Sequence, residues 1–68
     1  MNWSVSHIEP HVVIFRGENL HAILLKHAKV LDVFKGEDLE EDIRQEPINT
    51  FNNVSDGHEA LKLLRTHH

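Results

Sequence analysis

Leu20-His21-Ala22-Ile23-Leu24-Leu25-Lys26-His27-Ala28-Lys29-Val30-Leu31-Asp32-Val33-Phe34-Lys35-Gly36 is the longest patterned stretch of the chain, and its reading decides the fold. At the helical repeat of about 100° per residue, Leu20, Ile23, Leu24, Val30, Leu31 and Phe34 share one face. His21, Lys26, Lys29, Asp32 and Lys35 fall opposite. Asn19 can cap such a helix and Gly36 can end it in the left-handed conformation open to glycine. The pattern therefore predicts a helix over 20–35. Leu25 and Val33 project from its polar side, where they would cover a second apolar surface, in this domain or in a partner. The competing pattern is two short apolar strands, 20–25 and 30–34, separated by Lys26-His27-Ala28-Lys29.

Upstream, residues 4–15 are rich in β-branched and aromatic side chains around Glu9-Pro10, which reads as a hairpin or bent edge strand. Proline has no amide hydrogen for a sheet ladder, so Pro10 belongs at a turn or an edge. Arg16-Gly17-Glu18-Asn19 is a further turn. Downstream, 37–46 reads as a short acidic helix with Leu39 and Ile43 one turn apart, ended by Pro47. Residues 48–54 alternate imperfectly as a strand. Asp56-Gly57-His58-Glu59 is a helix start in which Asp56 caps and Glu59 reaches back toward the Asp56 amide. Ala60, Leu61, Leu63 and Leu64 give the last helix its apolar face.

The architecture expected is α+β: a small antiparallel sheet of two or three strands from 3–8, 12–16 and 48–54, packed with two or three helices near 20–35, 37–46 and 57–66. The alternative is a mostly-β N-terminal meander followed by helices. With 68 residues, one domain is expected. A core of this size supplies little net stability, roughly 3–5 kcal/mol, and without cysteine no disulfide adds to it. Oligomerisation is a ready remedy, and a homodimer is favoured. A cysteine-free chain also fits the reducing cytoplasm.

Val54-Ser55-Asp56-Gly57-His58-Glu59-Ala60-Leu61-Lys62-Leu63-Leu64 resembles the strand-to-helix passage of response-regulator receiver domains. The likeness is confined to these residues. The paired-acid turn of receivers has only a poor counterpart in residues 30–38, and Asp, Gly and Glu at these positions are what any helix start requires. The resemblance implies no activity here.

Histidine number invites a metal reading, because the chain has seven of them. Their spacing argues against it: His21 and His27 are six apart, which on a helix directs them about 120° away from each other. On a strand His7, Glu9 and His11 would share a face, although Pro10 disturbs it, and His67-His68 can take up metal adventitiously. Neither implies a functional site, and no cofactor is expected. His27 would sit at the centre of the long helix's apolar face, as a hydrogen-bonded core histidine or a protonation-sensitive packing site.

Catalytic signal is thin. No nucleophile lies in a G-x-S-x-G elbow, there is no P-loop or G-x-G-x-x-G, and so small a domain has little room for a ligand pocket of roughly 300–1,000 Å³. The chain does not read as an enzyme. Its seven Lys and Arg are scattered singly in a net charge of −4, which speaks against direct nucleic-acid binding, and no run approaches the roughly 20 apolar residues of a membrane span.

Charge is the most uneven feature. Residues 37–46 hold six acids against one base, Arg44, a local charge of −5 that leaves the rest of the chain at +1. An ordinary solvated helix accounts for this, with acids favoured near its N-terminus and Glu40 placed to pair with Arg44. The functional counterpart is a docking face for a basic surface on another protein. The expected function is thus a non-enzymatic regulatory or adaptor protein that acts by protein binding. Glu37, Asp38, Glu40, Glu41 and Asp42, with Leu25 and Val33, are its candidate contacts. The alternative is a small histidine-based metal- or ligand-binding module.

Overall fold

The computed structural model describes residues 2–36, 38–42 and 44–67, without the side chains of Leu39 and Asp42. Five strands follow one another as an antiparallel meander: β1 (Ser4–Ile8), β2 (Val12–Gly17), β3 (Leu20–Leu25), β4 (Val30–Lys35) and β5 (Asn49–Asn52). A four-residue helix α1 (Leu39–Asp42) lies in the connection between β4 and β5, and α2 (Gly57–His67) closes the fold. Among the described residues no helix is long and apolar enough to cross a membrane.

The helix expected over 20–35 does not form; these residues are the hairpin β3–β4, with Leu20 opposite Lys35 and Leu25 opposite Val30. The sheet accordingly has five strands rather than two or three, and α2 is the one helix longer than a turn among the described residues. The alternative of a meander followed by a helix is the one that fits. β3 has neighbours on both sides and apolar side chains on both of its faces, so its alternation is masked and its apolar run mimics a helical stripe. Of the acidic helix expected over 37–46, Leu39–Asp42 is helical and 44–46 is not, while residues 37 and 43 lie outside the described residues; Asp38 Oδ1 accepts from the Glu40 and Glu41 amides at 3.1 and 3.4 Å.

Local chemistry explains the turns. Pro10 lies in the three-residue connection Glu9-Pro10-His11, closed by the Glu9 amide donating to Val12 O at 2.8 Å. Asn19 does not cap a helix. It turns the β2–β3 hairpin in the left-handed region, with φ of 57°, which asparagine tolerates better than most residues. Lys29 adopts the same φ in the β3–β4 turn, where its carbonyl accepts from the Val54 amide at 2.9 Å. Gly36, at φ 119°, follows a strand rather than a helix and donates to Asn19 O at 2.9 Å.

One face of the sheet carries the core. Val13 and Phe15 on β2 stand opposite Leu24 and Ala22 on β3, which stand opposite Leu31 and Val33 on β4. All six are buried, together with Trp3, Val54, Ala60 and Leu64. Ala60 and Leu64 are four apart on α2, so a single helical stripe meets the sheet. Asp56 caps α2 through the Glu59 amide at 2.8 Å, as the sequence leads one to expect. Glu59 Oε2 accepts from the Ser55 amide at 3.4 Å, one residue earlier than a standard capping box. Gly17 permits a close approach: a Cβ there would meet the Trp3 indole at 2.9 Å. The C-terminal part of α2 is tied to the same place by Arg65 Nη2, which donates to Trp3 O at 3.3 Å.

Candidate functional site: the open face of the sheet

Side chains alternate across a strand, so the residues between the core positions form the opposite face. On β2 these are Val12, Ile14 and Arg16; on β3, His21, Ile23 and Leu25; on β4, Val30, Asp32 and Phe34. Cross-strand register arranges them in rows. Arg16, His21 and Phe34 make one row, Ile14, Ile23, Asp32 and Thr50 the next, and Val12, Leu25, Val30 and Asn52 the third.

The first row is shielded at His21 and Phe34 and exposed at Arg16. His21 is only 2% exposed, Phe34 is buried beside it, and both stand outside the main core cluster. Arg16 Nη2 lies 3.0 Å from His21 Nε2; a guanidinium only donates, so this ring nitrogen accepts. The buried histidine is therefore His21, which the helical pattern assigns to the polar side. His27, expected in the core, is exposed in the β3–β4 turn. Helical and strand periodicity place these two residues on opposite kinds of surface, and the strand decides.

The other two rows form an apolar field. Val12, Ile14, Ile23 and Val30 are half-buried, and Leu25 is 40% exposed. At its border Thr50 Oγ1 donates to Asp32 Oδ1 at 2.8 Å, a cross-strand pair that ties β5 to β4. Exposed apolar residues scattered singly need no explanation, but adjacent β-branched and aliphatic side chains on one sheet face mark a contact surface.

The candidate contacts are thus separated. Leu25 belongs to the open face, whereas Val33 is 0% exposed in the core and offers nothing to a partner, because it sits on the face that α2 covers. Asp38, Glu40 and Glu41 are exposed around α1; Glu37 and the side chain of Asp42 lie outside the described residues. The connection that holds them leaves the sheet at the Phe34 end of β4, away from the row of Val12, Leu25 and Val30. Val12, Ile14, Ile23 and Val30 were not singled out from sequence as contacts. For Ile23 and Val30 the available signal is alternation with Leu24 and Leu31, legible only once 20–35 is read as strands; for Val12 and Ile14 it is alternation with Val13 and Phe15 in the strand expected over 12–16.

Among the histidines, His7 Nε2 and Glu9 Oε2 meet at 2.9 Å, both well exposed. Nothing else joins them: the described residues contain no group of three or more His, Asp or Glu able to hold a metal ion. His67 packs its ring 5.5 Å from that of Phe51, and His68 lies outside the described residues. Among the described residues no pocket is found. No protein-family model, curated protein or solved structure matches the chain.

Proposed function

We propose that this chain is a non-enzymatic regulatory or adaptor protein that works by binding protein through the open face of its sheet. The observation that carries the reading is the contiguous apolar field of Val12, Ile14, Ile23, Leu25 and Val30 on the face that α2 does not cover. Removing such a field from water is the main favourable term in protein association, set against the entropy and desolvation costs of binding. The exposed acids Asp38, Glu40 and Glu41 supply the second element, a negative flank that favours partners with a basic surface and accelerates encounter at low salt. A cytoplasmic setting accords with the cysteine-free sequence.

Affinity capture from native lysate tests this with three baits: the wild type, Leu25→Glu, and Glu40→Lys combined with Glu41→Lys. The reading predicts a stoichiometric complex indifferent to chelator, lost in the first variant and weakened at low salt in the second. Capture that is unchanged in both variants, or that disappears with chelator, would refute it.

A further inference from the structure

We infer that the outer edge of β1 is a second binding site, which takes an extended, uncharged segment of another polypeptide as a sixth strand of the sheet.

The β1–β2 register builds the site. Val5 stands opposite Phe15 and Ile8 opposite Val13, with a register shift between Val5 and His7. In a regular strand residues three apart point to opposite faces. The bulge inserts one extra residue, so Val5 and Ile8 both point to the face that carries the core. Their neighbours on β2 are buried, because the start of α2 lies over them: a Cβ at Gly57 would stand 3.8 Å from the side chains of both Phe15 and Val13. One strand further out, Val5 is 42% and Ile8 69% exposed. Two apolar rows of the core side thus run uncovered to the edge of the sheet.

The two edges differ in what they offer a partner. On β5 the Thr50 amide donates to Asn49 Oδ1 at 2.9 Å, and Asn53, at φ 61°, turns the chain so that the Val54 amide donates back to Lys29 O. That edge is short and partly occupied by its own chain. β1 is longer, and all five of its residues are exposed. It contains no Lys, Arg, Asp, Glu or Pro, the residues that ordinarily keep other strands off an edge. His7 leaves the apolar pair undisturbed, since it stands opposite Ile14 on the other face and meets Glu9 there at 2.9 Å.

An edge strand presents backbone N–H and C=O groups in a row, and an extended chain is what pairs with them. A helix has its own backbone groups already bonded and leaves that row unmatched. Size separates a peptide from a second copy. Five residues at a rise of about 3.3 Å, with a sheet roughly 10 Å thick, give an edge of roughly 170 Å². Two copies joined there share roughly 340 Å² of flat footprint, and even twice that as accessible surface falls below the roughly 1,200 Å² of stable complexes. A single extended segment, by contrast, is matched in full by one ladder edge and two apolar side chains. Apolar residues at alternate positions of that segment would lie beside Val5 and Ile8, and the absence of charge on β1 favours an uncharged centre.

NMR titration of ¹⁵N-labelled protein is the test, with a capped six-residue peptide of alternating threonine and valine as probe. Signals of residues 4–8 should shift saturably, with a dissociation constant of about 0.1–1 mM, and amide exchange along β1 should slow. A counterpart peptide methylated on every backbone nitrogen keeps the side chains and loses the donors, and it should bind at least about tenfold more weakly. Ile8→Lys, at a side chain exposed enough to be replaced without unfolding, should have a similar effect. Silence of the β1 signals up to millimolar peptide, equal binding of the methylated peptide, or an Ile8→Lys protein that binds as the wild type does would overturn the proposal. So would shifts confined to Ile23 and Leu25, which would assign the peptide to the open face, or β1 shifts that follow protein concentration without peptide, which would assign the edge to a second copy.

Discussion

Gly17 and Trp3 show how a single residue fixes the packing of this small core. Trp3 precedes the sheet yet is almost fully buried, because the bare backbone of Gly17 lets its indole lie against β2. A methyl group at position 17 has nowhere to go without moving a large rigid ring. Gly17→Ala should therefore cost about 1–3 kcal/mol in chemical denaturation, and less in a Trp3→Phe background, where the atoms it strikes are partly removed. Additive losses in that double-mutant cycle would show that the two residues do not interact. Lys29 poses the opposite case. A lysine in the left-handed region is strained by about 1–2 kcal/mol, while glycine adds about 0.5–1 kcal/mol of unfolded-state entropy. Lys29→Gly should thus raise stability slightly, by roughly 0.5–1 kcal/mol, as read from the denaturation midpoint. A loss would place the Lys29 side chain in a stabilising contact.

At the scale of elements, β3 is the decisive strand, and its two faces do different work. Leu24 is fully buried against the core whereas its neighbour Leu25 is substantially exposed on the open face. Leu24→Ala should cost about 2–5 kcal/mol, enough to consume most of the net stability of a domain this small, and Leu25→Ala under about 1 kcal/mol in dilute protein. Similar losses at both positions would contradict the register of β3 with β2 and β4. For α2, Asp56→Ala removes the acceptor of the Glu59 amide and should cost about 1 kcal/mol, with helix signal lost before sheet signal on heating.

What the sequence discloses follows from the same physics. α2 was legible because Asp56, Glu59, Ala60 and Leu64 act within one helix, at spacings that backbone geometry dictates. The turns at Pro10 and at 16–19 were legible because proline, glycine and asparagine restrict the backbone locally. Residues 20–35 were harder because an interior strand with apolar side chains on both faces loses its two-residue alternation. Leu, Ala and Lys also favour helix in isolation, so local preference pointed away from pairing that only distant strands make favourable. The candidate site inherits that ambiguity: the helical pattern puts Val33 on the surface where strand pairing puts it in the core, and Ile23 joins Leu25 on the open face only when the stretch is read as a strand. His21 and His27 exchanged environments for the same reason.

The whole molecule has unlike sides, a helix-covered face that holds the fold together and an open one available for contact. Its dimensions of 24 × 23 × 19 Å leave little depth beneath the surface. Binding that covers the open face would stabilise the native state by mass action, so a saturating protein partner of that face should raise the melting temperature of the wild type and leave that of Leu25→Glu unchanged. The acidic flank around α1 remains outside such a contact, free to approach a basic partner, and its contribution should fade as salt shortens the range of charge interactions.

Placing single cysteines along β3 gives the most direct measurement of this two-sidedness, and the native chain contains no cysteine to confuse it. Ala22→Cys, Ile23→Cys, Leu24→Cys and Leu25→Cys would each be treated with a thiol reagent in dilute native solution. The account predicts protection at 22 and 24 and modification at 23 and 25. Protection recurring every third or fourth residue, or a reactive 24 beside a shielded 25, would contradict it.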